Sequence, residues 1–154
     1  MYILIRFVAL LILTGFPWTA HAEYVLDAKT AKLVDCGDVM AYAGNYALMT
    51  NNEGQARVFF FQEARALAAL FAKNYENGVI SGERTALWKA RRPATMRHLD
   101  ANQATLSNTI NGCYPIIQQA VDEPIVRSSN MWGKNFTEIV ENLATKLRGV
   151  YGLR

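Results

Sequence analysis

The stretch that decides the fold runs from Glu53 to Asn77, EGQARVFFFQEARALAALFAKNYEN. Phe60, Ala64, Leu67 and Phe71 recur three and four residues apart, the spacing of one helix face, and no Gly or Pro interrupts them. The triplet Phe59-Phe60-Phe61 sharpens the reading. Three consecutive helical residues sweep about 200° of circumference, so a single stripe cannot bury all three. Phe60 belongs to the main stripe, Phe59 aligns with Ala66 and Leu70, and Phe61 falls between Arg57 and Arg65, one turn to either side. Either this helix is central and buried on several sides, the commoner arrangement, or part of the triplet meets a partner.

Working outward, the same periodicity covers most of the chain. A preceding helix is expected after Asp27, a good N-cap residue, with a seam of Leu33, Cys36, Met40, Ala43 and Ala47. It should stop near Asn51-Asn52, where left-handed backbone is tolerated. Gly78 and Ser81 bracket a connection to a short helix from Glu83 to Lys89, ended by Arg91-Arg92-Pro93. Pro93 suits the first turn of a further helix, whose seam is Met96, Leu99, Gln103, Leu106, Ile110, Cys113 and Ile117. A kink or break is expected at Gly112 and Pro115, since proline lacks the N–H and clashes one turn back. Ser128-Ser129-Asn130 offers caps for a last helix carrying Trp132, Phe136, Ile139, Leu143 and Leu147, and Gly149 and Gly152 should loosen the tail. No strand signal competes. The expected fold is an all-α bundle of four main helices with short additional segments and one disulfide.

The N-terminus gives the compartment. Arg6 precedes an apolar run from Phe7 to Phe16, Pro17 breaks it, and Ala20-His21-Ala22 ends in the small-x-small pattern of a signal peptidase site. A membrane anchor needs roughly 20 apolar residues, more than this run supplies. Residues 1–22 are therefore expected to be a signal peptide and 23–154 a single helical domain, periplasmic or secreted, with no membrane span after cleavage. No cysteine stands at the cleavage point, which argues against a lipid anchor. Export gives the two cysteines their meaning: Cys36 and Cys113, an even pair in an oxidising compartment, are expected to form a disulfide. Both fall on the apolar seams of their helices.

Catalytic groups are scarce. His98 is the one histidine beyond the signal segment, and Asp100, two residues away on the same helix, points to another face. The carboxylate pairs Asp35/Asp38, Asp122/Glu123 and Glu138/Glu141 read as solvated faces. There is no C-x-x-C-H, phosphate loop or zinc-protease motif, and two cysteines with one histidine cannot complete a zinc site. No catalytic residue, metal or cofactor is expected.

Two features point to recognition instead. Phe61 with Arg57 and Arg65 combines the aromatic and arginine side chains that binding hot spots favour. A basic stretch, Arg84, Lys89, Arg91, Arg92 and Arg97, has few acids near it, and Arg91 and Arg92 join the candidate binding residues. The chain is mildly basic, with a net charge of +3. Neither that balance nor export suits a nucleic-acid binder. The expected function is binding, as an inhibitor, immunity protein, secretion accessory or envelope-stress factor, with another protein or an anionic envelope component as partner. The alternatives are a small exported hydrolase using carboxylates or His98, and a haem or ligand carrier, with His98 and Met40 or Met49 on a haem.

Overall fold

The computed structural model describes residues 27–76 and 92–153. The expected signal peptide, the expected short helix from Glu83 to Lys89, and Arg84, Lys89 and Arg91 lie outside the described residues. The described chain is overwhelmingly helical, as the periodicity requires, and its only strand pairing is one two-residue hairpin. No described helix is long and apolar enough to cross a membrane.

Helix α1 spans Ala28–Met49. The Asp27 carboxylate caps it, accepting from the Lys29 and Thr30 backbone N–H groups at 2.9 and 2.8 Å and from the Thr30 hydroxyl at 2.7 Å. At its other end Asn51 takes a left-handed conformation, φ 58°. The Asn52 and Asn51 N–H groups then close back on the Ala47 and Leu48 carbonyls at 2.8 and 3.0 Å. These are the paired bonds that satisfy orphan carbonyls at a helix end.

Helix α2 spans Glu53–Glu76 and lies antiparallel on α1. Small residues let the two approach. Gly37 faces Ala66, where a Cβ on the glycine would sit 3.6 Å from the Ala66 Cβ. Gly44 lies directly under the Phe60 ring, which stacks on its other side against Tyr151 with centroids 4.1 Å apart and planes within 6°. Phe60 is fully buried and Phe59 nearly so, whereas Phe61 keeps 43% of its surface exposed. Thus α2 is central and still leaves one strip, Arg57, Val58 and Phe61, facing outward.

The chain is helical again over 92–101, here α3. The break expected at Pro115 falls earlier, at Asn102, followed by a 3-10 turn over Gln103–Thr105. The Asn102 side chain donates to the His98 carbonyl at 2.7 Å, satisfying a terminal acceptor locally. Helix α4, Leu106–Val121, carries Pro115 inside it. Cys113 on α4 is bonded to Cys36 on α1, closing a separation of 77 residues.

A single turn, α5 (Pro124–Arg127), leads to strands β1 (Asn130–Met131) and β2 (Lys134–Asn135), which pair antiparallel as Asn130 with Asn135 and Met131 with Lys134. Trp132 is therefore at a hairpin tip, not on the last helix where the sequence placed it. That helix, α6 (Phe136–Val150), is capped by Asn135, whose side chain accepts from the Glu138 N–H at 3.0 Å while Glu138 Oε2 accepts from the Asn135 N–H at 2.8 Å. The reciprocal pair outcompetes Ser128-Ser129-Asn130 as the start signal. The tail is not loose. Gly152 at φ 74° reverses the chain, the Leu153 N–H reaches the Arg148 carbonyl at 2.8 Å, and Leu153 is buried. Glycine at the left-handed position ends the helix and returns an apolar residue to the core.

Candidate functional site

The Phe61 strip of α2 faces the edge of α6. Phe61 is the shared wall of two grooves that run along this crevice. One, about 670 Å³, is lined by Arg65, Arg127, Phe136, Glu138 and Val140 among others. The second, about 390 Å³, is lined by Arg57, Glu141, Ala144, Thr145 and Arg148. Four guanidinium groups and two carboxylates thus border an exposed phenyl ring. Arg65 is held in place without a carboxylate: its Nη1 donates to Gln62 at 3.0 Å and its Nη2 to Gln118 on α4 at 2.6 Å. Arg57 lies 3.8 Å from Glu53 one turn back, and Arg127 is paired with Asp122. The Gln118 amide first, then Arg127, holds the Asp122 carboxyl below its ordinary range.

Of the residues singled out in the sequence, Phe61, Arg57 and Arg65 are brought together here. Arg92 is not. Its Nε lies 3.6 Å from Oδ1 of Asp38, a side chain with no exposed surface. The reading of Asp35 and Asp38 as a shared solvated face is therefore overturned: Asp35 is half-buried and Asp38 is in the core. Glu63 of α2 joins that buried cluster at 1% exposure. It lies two residues from Phe61, about 200° round the helix, so the buried acids and the exposed phenyl occupy different faces of α2. Burial pushes the Glu63 carboxyl up to about 7; Arg92 opposes the shift and Asp38 adds to it. Its Oε2 has no hydrogen-bond partner among the described residues. A carboxyl that titrates near neutrality beside a second carboxyl can store or pass a proton. No groove described here is lined by Asp38 or Glu63, however, so the pair stands apart from the accessible surface.

Glu63 was not singled out in the sequence, although a signal was there. It lies between Ala56 and Leu70 at sevenfold spacing, inside an otherwise apolar row.

The other candidate chemistry is not assembled. His98 is exposed, and Asp100 accepts from the Tyr42 hydroxyl at 2.9 Å. Met40 is fully buried and Met49 is 81% exposed, and none of the grooves described here is lined by His98, Met40 or Met49. Glu123 bridges Lys29 of α1 and Lys73 of α2 at 3.2 and 2.9 Å. Its partial burial raises its pKa, but these two lysines more than offset this and leave it lowered. Among the described residues no cluster of three or more His, Cys, Asp or Glu could hold a metal ion.

A third groove, about 460 Å³, was invisible to sequence pattern. It lies where the α1–α2 turn meets α4, and no lysine, arginine or carboxylate lines it. Tyr46, Val58, Phe59, Ile110 and Tyr114 supply its apolar walls. The chain matches no protein-family model, no curated protein and no solved structure.

Proposed function

We propose that this is an exported helical protein that acts by binding another protein, with Phe61, Arg57 and Arg65 at the centre of the contact. The observation that carries the reading is Phe61 itself, 43% exposed between two grooves on a helix whose neighbouring Phe59 and Phe60 are buried. Leaving 43% of this side chain in water forgoes roughly 1 kcal/mol of the burial a core phenylalanine gains. Phenylalanine and arginine are both enriched at protein interfaces, and arginine among their hot spots. The mixed charge of the face, with Glu138 and Glu141 among the arginines, suits a protein surface better than a uniformly anionic polymer. Export rests on the signal-like Met1 to Ala22 segment, and the Cys36–Cys113 disulfide is compatible with an oxidising compartment.

The test compares two adjacent phenylalanines. Phe60→Ala should lower folding stability by about 3–5 kcal/mol, as large core truncations do. Phe61→Ala should leave the melting temperature nearly unchanged, yet weaken capture of the partner from envelope extract by more than about 1 kcal/mol. If Phe61→Ala destabilises as much as Phe60→Ala, the triplet is packing and this reading falls.

A further inference from the structure

The hairpin tip combines three features that folding alone does not ask for. The β1–β2 connection is the two-residue turn Trp132-Gly133, with φ of 55° and 71°. Two positive φ values in succession are the turn type for which Asn-Gly is preferred, because its backbone twist matches the strands. Trp at the first position is a poor choice on steric grounds, since a bulky L side chain resists this region. The indole does not recover the loss by burial: it is 69% exposed, and the ring it meets edge-on, Tyr75 at 6.3 Å, is itself 51% exposed. The hairpin is already anchored by the fully buried Met131. Backbone strain of this kind collects where a side chain must be presented for another purpose.

Trp132 forms one wall of a groove of about 290 Å³ between the tip, α2 and α6. Phe71, Ile139 and Leu143 supply its apolar lining, and Lys134 and Lys146 stand at it. No carboxylate lines it, and neither lysine is ion-paired among the described residues. The apolar walls and the two ammonium groups therefore complement a molecule that is greasy at one end and negative at the other. At about 30 Å³ for each water-sized atom group, the space holds on the order of ten heavy atoms. An extended anionic surface fits less well, because Lys134 also borders Glu138 and Glu141 on the adjoining side of α6. We propose that this groove binds a small soluble amphiphile, an anionic head group on a short apolar body, with Trp132 packing on the body and Lys134 and Lys146 holding the head. This site is on the opposite side of α6 from Phe61 and does not depend on the protein contact proposed there.

Titration calorimetry of the oxidised mature chain with decanoate, with decanol as the uncharged control, tests it. Decanoate should bind at one site. Trp132→Asn removes the indole and puts a residue at home in this turn there instead. It should melt at or above the wild-type temperature while weakening decanoate roughly tenfold or more. Lys134→Gln with Lys146→Gln should weaken decanoate by a similar factor and leave decanol unchanged. The proposal is overturned if decanoate shows no saturable binding, if Trp132→Asn binds as tightly as wild type, or if the lysine variant loses decanol equally. It is also overturned if Trp132→Asn melts well below wild type, because Trp132 is then a structural anchor. Co-sedimentation with anionic phosphatidylglycerol vesicles through Trp132, without decanoate binding, would make the tip a membrane contact and likewise overturn it.

Discussion

Glu63→Gln should make the protein more stable at alkaline pH and leave it almost unchanged at acid pH. Glu63 is buried at 1% exposure on the core face of α2, close enough to Asp38 and Arg92 for both to act on its charge. Its carboxyl titrates near 7 in the folded chain, against an ordinary value of 4.5. The folded state thus holds this proton more tightly than the unfolded state does. The stability it contributes is complete below about pH 4.5 and is lost as the pH rises through about 7. Each pH unit across that interval corresponds to about 1.4 kcal/mol, so the whole loss is on the order of 3 kcal/mol. Glutamine has nearly the same shape and does not ionise. Urea denaturation of both proteins at 25 °C, from pH 4 to pH 8.5, isolates the effect. Carboxyls whose values are lowered, such as Asp27 and Asp122, slope the other way and cancel in the difference. The stability of Glu63→Gln minus that of wild type should grow by about 3 kcal/mol with pH, chiefly between pH 5 and 7. A difference that is flat, or that shrinks as pH rises, would refute the reasoning.

Two further predictions concern packing and covalent structure. Gly44→Ala places a Cβ into the Phe60 ring, which Tyr151 blocks from retreating, so it should cost about 1–3 kcal/mol in chemical denaturation despite alanine's better helix propensity; a neutral or stabilising result would mean that α1 and α2 are not this close. Cys36→Ala, or reduction, should cost about 2–5 kcal/mol, since the Cys36–Cys113 link restrains a 77-residue separation in the unfolded chain, and the oxidised denatured protein should show no reactive thiol.

The sequence by itself determined what is local. Helical periodicity over α1, α2 and α4, the Asp27 cap and the Asn51 stop follow from interactions within a few residues, and they are where spacing and side-chain type placed them. The disulfide was legible because only two cysteines exist and each falls on an apolar seam. Spacing put Phe60 on the main stripe and Phe61 in the arginine row but left open whether Phe61 is buried; the packing of the other helices on α2 decided that, leaving it 43% exposed. Tertiary structure decided the rest. An Asp38 three residues from Asp35 reads as a surface pair until α2 and α3 cover it and bring Glu63 and Arg92 to it. Pro115 reads as a break, but proline removes one helical hydrogen bond, and neighbouring helices and the Cys113 bridge can carry that loss, while Asn102 ends a helix through its own side chain. Trp132 continued an apolar helical seam in the sequence until the Asn135–Glu138 capping box started α6 later and left Trp132-Gly133 to form a hairpin turn. In each case the local signal was real, and a contact between residues distant in sequence, or a stronger cap a few residues on, outweighed it.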